Sequence, residues 1–185
     1  MSELLCNPVA MAKAQAEVRN AFASRSLRES DIMNLPYLQA VIKEVMRLHP
    51  AGTILLHKAM KDGLDLGGYR VPKGTSVFVN TWAIGRNPQF WNEPDVFRPE
   101  RFLEKQISFY GKDFEFIPFG SGKKSCPGLP YAARVVPFLL ALMLAQFDWR
   151  LPDGMEHKDV DLTEKFANGL KMAVPLCVVP VPINT

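Results

Sequence analysis

The residues best suited to chemistry in this chain stand in one stretch, Phe116-Ile117-Pro118-Phe119-Gly120-Ser121-Gly122-Lys123-Lys124-Ser125-Cys126-Pro127-Gly128. The chain has three cysteines, at positions 6, 126 and 177, and one of them lies inside this glycine-rich segment. Gly122-Lys123 with Ser125 nearby invites a phosphate loop. The motif G-x-x-x-x-G-K-[ST] fails twice, however, because Ile117 stands where a glycine is needed and Lys124 where a hydroxyl is needed. A buried, inert thiol is the ordinary fate of an isolated cysteine in an apolar region. Here the surroundings argue for a chemical role. Cys126 precedes Pro127-Gly128 at the mouth of an apolar helix expected over 129–147, where free N–H groups and the macrodipole favour an anion. Lys123 and Lys124 add positive charge, a setting that favours thiolate over thiol. Gly120, Gly122 and Gly128 leave the backbone open to close approach by something flat and large.

Other chemistries fit less well. The cysteines are odd in number, far apart and without C-x-x-C, which argues against a disulfide framework and for a reducing compartment. His49, His57 and His157 show no zinc-ligand spacing with them. The formal charge of +3 is small, and the lysines and arginines are dispersed, so no nucleic-acid partner is expected. A thiolate, an aromatic shield in Phe119 and bare backbone describe one face of a haem site.

The elements that must position this loop follow from periodicity. Residues 8–22 predict an amphipathic helix opened by Asn7-Pro8 and ended by the polar stretch 24–30. Residues 1–6 are helix-compatible but carry no start signal. Leu38, Val41, Ile42, Val45 and Leu48 mark one buried face of a second helix, which Leu35-Pro36 introduces and His49-Pro50 ends. Strands are expected at 53–59 and 69–80, a long Pro- and aromatic-rich meander at 87–119, and a Pro-interrupted edge strand at 173–180. The apolar run 135–145 is too short to span a bilayer and contains Pro137, so no transmembrane segment is expected. The fold class is mainly α with small β-sheets (α+β), and 185 residues suit one domain.

Two further motifs join the loop. Glu44-Val45-Met46-Arg47 is an E-x-x-R on a helix, which alone is weak because i, i+3 pairs are common on solvated faces. Phe97-Arg98-Pro99-Glu100-Arg101-Phe102 lies in the meander. With these in order, the chain resembles the cytochrome P-450 superfamily of haem-thiolate monooxygenases. Phe119, Gly120, Gly122, Lys124, Cys126 and Gly128 fit its haem loop F-x-x-G-x-[RK]-x-C-x-G. The resemblance covers essentially the whole chain as the truncated C-terminal portion of that fold, in plant microsomal style. It divides into helices at 7–50, a small sheet at 51–82, the meander and haem loop at 83–128, the following helix at 129–147 and a C-terminal hairpin at 148–185.

The resemblance implies haem b (iron protoporphyrin IX) as cofactor, with Cys126 as the axial thiolate. By the same comparison Lys124 and His57 bond haem propionates, and Glu44, Arg47 and Arg101 form one charge network. Thr53, Ile54, Leu55, Asn168 and Gly169 border a substrate pocket. The implied reaction is monooxygenation of a small apolar substrate with dioxygen, using electrons from an NADPH-dependent flavoprotein reductase. Full-length relatives sit on the cytosolic face of the endoplasmic reticulum membrane, whereas this chain, lacking their anchor, is expected to be cytosolic if made alone. Departures are Lys123-Lys124 for the frequent Arg-Arg, Ala51-Gly52-Thr53 for the usual proline-rich run, and the absence of the oxygen-activating [AG]-G-x-[DE]-T helix. That last departure supports a competing expectation, a truncated fragment that is catalytically incompetent.

Overall fold

The computed structural model describes residues 1–22, 28–167 and 169–183. Three helices build the main core: α2 (Pro8–Phe22), α4 (Pro36–Leu48) and α7 (Leu129–Gln146). Short helices α1 (Ser2–Cys6) and α3 (Glu29–Ile32) flank them. Ala14, Val18, Leu38, Val41, Ala141 and Leu144 are buried where these helices meet. Alanine at positions 10 and 14 of α2 and 141 of α7 keeps side-chain volume low at the contact, which lets helices approach closely.

The polar groups of α2 complete its neighbours. The Glu17 carboxylate accepts the backbone N–H groups of Tyr37 and Leu38 at 2.8 Å each, so the N-terminus of α4, which has no side-chain cap of its own, is capped from another helix. Arg19 donates to the Leu144 and Phe147 carbonyls at 3.2 Å and to Asp148 at 2.7 Å, meeting the C-terminal end of α7. An anion at one helix start and a cation at another helix end both complement the macrodipoles.

The sheets are small and antiparallel. Strand β1 (Ile54–Lys58) pairs with β4 (Ser76–Asn80), placing Leu55 opposite Val79 and His57 opposite Val77. Between them β2 (Leu64–Leu66) and β3 (Tyr69–Val71) form a hairpin. Its two-residue turn, Gly67-Gly68, has φ of 61° and 87°, the left-handed values such a turn requires. After the short helix α5 (Thr81–Ile84) the chain enters the meander, whose one helical turn is α6 (Arg101–Glu104). Strand β5 (Phe147–Arg150) follows α7 directly and pairs with β8 (Val179–Pro182), enclosing in sequence the hairpin of β6 (Glu164–Phe166) and β7 (Leu170–Met172).

Several expectations shift. The turn signal Pro72-Lys73-Gly74 divides 69–80 into β3 and β4, with Gly74 at φ 85°, whereas the separate strand at 64–66 is too short to show a period. Asn7 does precede α2, and its carbonyl accepts the Met11 N–H at 3.0 Å, but its side-chain amide donates back to the Glu3 carbonyl at 2.8 Å and closes α1. The polar stretch 24–30 falls mostly outside the described residues, and its last two positions open α3. The last strand lies at 179–182 and not 173–180, because its partner β5 begins at Phe147. The apolar run expected to be too short for a bilayer extends into an 18-residue helix, long and apolar enough to cross a membrane by length and composition. The packing of Leu140, Ala141 and Leu144 in the core accounts for part of that apolarity, while Val136 and Leu139 are exposed.

The two faces of α7 give a direct test. Leu144→Ala, at a side chain with 0% exposure, should cost about 2–5 kcal/mol of unfolding free energy in urea. Leu139→Ala, at 50% exposure on the same helix, should stay within about 0.5 kcal/mol of the unaltered chain.

Candidate functional site

The cysteine loop is closed by its own backbone. The Cys126 N–H donates to the Phe119 carbonyl at 2.8 Å, the Gly120 N–H to Ile117 at 3.0 Å and the Ser125 N–H to Gly122 at 3.2 Å. Two of the loop's glycines are required by conformation, since Gly120 and Gly122 have φ of 74° and 67°. Gly128 has ordinary helical φ, and its importance is positional: a Cβ there would lie 3.6 Å from the Cys126 sulfur. Gly128 also starts α7 as its N-cap residue, so Cys126 stands two residues ahead of the positive end of that helix.

Cys126 is exposed, and its loop faces β1 across an open cleft of about 440 Å³. Of the residues singled out in the sequence, Cys126, Phe119, Gly120, Lys124, His57, Ile54 and Leu55 all line it. Leu56, Pro118, Ala51 and Gly52 line it as well. Thr53 and Gly169 are not in the lining. The Thr53 carbonyl accepts the N–H groups of Thr81 and Trp82, and Gly169 packs against the Ala51 carbonyl, 3.0 Å from where its Cβ would be. Gly122 sits at the loop's outer edge with nothing near its Cβ position. Asn168 lies outside the described residues.

Glu44, Arg47 and Arg101 come together behind the loop, with exposures of 0, 1 and 4%. Arg47 engages Glu44 through both carboxylate oxygens, Nε to Oε2 and Nη2 to Oε1 at 2.8 Å each. Arg101 Nε donates to the same Oε1 at 3.0 Å, and the Arg98 backbone N–H joins them at 2.8 Å. The remaining guanidinium hydrogens go to meander carbonyls. Arg47 reaches Gly85, Pro94 and Val96; Arg101 reaches Asn92, Glu93 and Val96. Burial draws the Arg101 guanidinium down from its ordinary range against the opposing pull of Glu44, yet arginine stays charged at any physiological pH. Glu93, whose carbonyl Arg101 holds, has φ 47°, a left-handed conformation unusual for its type.

An aromatic layer connects network to loop. Arg47 lies 5.3 Å from the Trp91 ring centroid, and Trp91, Phe102 and Phe116 pack with centroids 5.0 to 6.3 Å apart. Phe109 then meets Phe119 edge-on at 5.9 Å. Two supports have no signature in the sequence. The Ser121 hydroxyl donates to the Gly111 carbonyl at 2.5 Å, and a Cβ on Gly111 would fall 2.9 Å from the Gly120 oxygen. Gly85 likewise has no room for a Cβ, which would come within 2.6 Å of the Arg47 carbonyl oxygen. A glycine whose reason is a distant backbone carries no local signature.

Residues 1–174 match the family model described as Cytochrome P450. This chain belongs to the cytochrome P450 family. Its full length is 56% identical over 187 residues to Cytochrome P450 76M5 of Oryza sativa subsp. japonica, covering 37% of that protein. It is also 56% identical over 188 residues to Ent-cassadiene C11-alpha-hydroxylase 1 of the same plant, covering 38%. Identity is 44% over 185 residues to 7-ethoxycoumarin O-deethylase of Helianthus tuberosus. A solved zebra fish cytochrome P450, titled as a structure with abiraterone, superposes on the whole chain with a TM-score of 0.86 at 35% identity, over 42% of its own length. The chain thus spans less than two-fifths of the length of these curated relatives.

The residues present fit the haem that the family implies. The free Cys126 thiol stands exposed beside glycine backbone, and a lysine and a histidine share its cleft. Removing the central anion of the P450 network should be severe: Glu44→Gln leaves two buried guanidiniums short of their counter-charge and should destabilise by about 3–5 kcal/mol in urea titration. Arg47→Lys should also destabilise, by a smaller amount, because a point charge cannot reproduce the two-pronged contact.

Proposed function

We propose that this chain carries the thiolate side of a haem b monooxygenase site, as part of one cytochrome P450 domain over 1–185. The observation that carries the reading is the cleft that Cys126 and Lys124 of the loop share with His57 and the apolar Ile54, Leu55 and Leu56 of β1. Cys126 would supply the sulfur that holds the haem iron. Phe119 covers one side of the loop, and Gly120, Gly122 and Gly128 keep bulk away from it. Lys124 and His57 offer hydrogens to the two propionates, Lys124 as a compact point charge. Glu44, Arg47 and Arg101 act at a distance, by fixing the meander on which the loop rests.

When bound, the haem supplies the dioxygen chemistry, with the thiolate's electron donation favouring O–O cleavage. Thr53, Ile54, Leu55, Asn168 and Gly169 are assigned to the neighbourhood of the substrate. Ile54 and Leu55 border the cleft itself and suit an apolar organic molecule; Gly169 acts only through Ala51. The name of one relative, Ent-cassadiene C11-alpha-hydroxylase 1, fits that class. The expected electron donor is an NADPH-dependent flavoprotein reductase, and the expected location of the longer protein is the cytosolic face of the endoplasmic reticulum membrane.

A second reading, haem binding without turnover by these 185 residues alone, rests on the absence from them of the [AG]-G-x-[DE]-T helix that would cover the opposite side of the haem. A site open to water does not sustain oxygen activation. One pair of measurements separates the readings. The haem-loaded chain, reduced under carbon monoxide, should show the red-shifted Soret band of thiolate ligation. Cys126→Ala should abolish that band, while Cys6→Ala and Cys177→Ala should leave it intact. Product formation with reductase and an apolar substrate would then establish turnover, and its absence would leave haem binding alone.

A further inference from the structure

Away from the cysteine cleft, His49 is held between two carboxylates from opposite ends of the chain. Its Nδ1 lies 2.5 Å from Glu164 Oε1 and its Nε2 lies 2.6 Å from Glu3 Oε1. A neutral imidazole has one N–H and one lone pair. Between two ionised carboxylates it would therefore aim a lone pair at an oxygen anion at hydrogen-bonding distance. The imidazolium, with an N–H on each side, satisfies both.

The position of this contact gives it a consequence. Glu3 lies on α1, Glu164 begins β6, and His49 is the C-cap residue of α4. Two residues on, the Ala51 carbonyl accepts the Leu170 N–H at 2.8 Å, and Gly169 packs against that same carbonyl. Ala51 in turn lines the cleft at Cys126. The β6–β7 hairpin is thus fastened at its base by His49 and near its tip by Ala51. A further contact, Ser2 Oγ to Met172 Sδ at 3.0 Å, ties its outgoing strand to α1.

We propose that His49 is a positioning residue: as an imidazolium it clasps the Glu164–Met172 hairpin to the body of the domain, sets the rim of the Cys126 cleft through Ala51, and releases the hairpin at alkaline pH. The clasp itself stands on this geometry, and its bearing on substrate access rests on the functional reading above.

Other charged groups surround it. Lys171 and the Met1 amine line the same small cavity as His49, Glu3 and Glu164; Arg86 attracts Glu164, and Cys6 lies in the field of Glu3. Burial alone pulls the His49 imidazole down, but the hydrogen bonds and charges of Glu3 and Glu164 outweigh it and hold it above its ordinary value. A group raised on folding stabilises below its unfolded value and loses that contribution as pH rises through the folded one. Burial also lowers the Met1 amine, so the variants below leave Met1 and Lys171 in place.

The test is hydrogen exchange at the Leu170 amide, corrected for the intrinsic pH dependence of exchange, with amides of α4 as the folding control. Between about pH 6 and about pH 9 protection should fall by about tenfold or more in the unaltered chain. In Glu164→Gln the carboxamide can donate to the imidazole lone pair while Glu3 accepts from the other nitrogen, so protection should persist at the higher pH. His49→Gln should be poorly protected at both, with α4 unchanged. Flat protection in the unaltered chain, or an alkaline loss that persists unchanged in Glu164→Gln, would overturn the clasp. None of these readouts uses haem, so a chain that fails to give the thiolate spectrum but shows the expected exchange loses the functional reading and keeps the clasp.

Discussion

A carboxylate sealed from water must have its charge balanced and its lone pairs filled by the protein, and in this chain that demand organises everything around it. Glu44 is fully buried. It is met by Arg47 from its own helix and by Arg101 and the Arg98 N–H from the meander, and both guanidiniums give their other hydrogens to carbonyls of residues 85 to 96. The cost of gathering such charges is high, and removing one member costs more than the network yields. What the arrangement supplies is a single permitted path for a segment with little secondary structure. The left-handed backbone at Glu93 is held within that arrangement.

From there the constraint passes through aromatic packing. Trp91 stacks near Arg47, Phe102 follows Arg101 in sequence, and both meet Phe116, three residues before the loop. The loop therefore inherits its placement from α4, whose Ala40 and Met46 share one apolar cluster with Phe116 and Phe119. The helix that follows it is fixed independently, through Arg19 of α2 at its far end. A sulfur held between these two anchors needs no regular element of its own.

Much of this was legible because it is local. The buried face of α4 repeats at helical spacing, Pro36 and His49-Pro50 mark its ends, and the cysteine loop carries its glycines and lysines at fixed offsets. Less legible were features whose reasons are long-range. The three-residue strands at 64–66, 69–71, 164–166 and 170–172 are too short to show alternation and exist because a partner lies alongside. Gly85 and Gly111 look like ordinary glycines until the backbones they touch are known. Thr53 and Gly169 stand just outside the cleft lining, since a strand's neighbours and a hairpin tip's depth are set by packing and not by order in the chain.

The sequence by itself determined which residues carry the chemistry: the spacing of Phe119, Gly122, Lys124, Cys126 and Gly128 is a local pattern, and local patterns survive without coordinates. It also determined the helices, whose hydrogen bonds span only four residues and whose apolar faces repeat. Only the tertiary structure decided that Cys126, Lys124 and His57 share one cleft and that Arg101 meets Glu44 across 57 positions. It alone placed His49 between carboxylates drawn from both ends of the chain. Such contacts depend on the relative placement of whole elements, which burial and charge satisfaction fix together and no window of sequence contains.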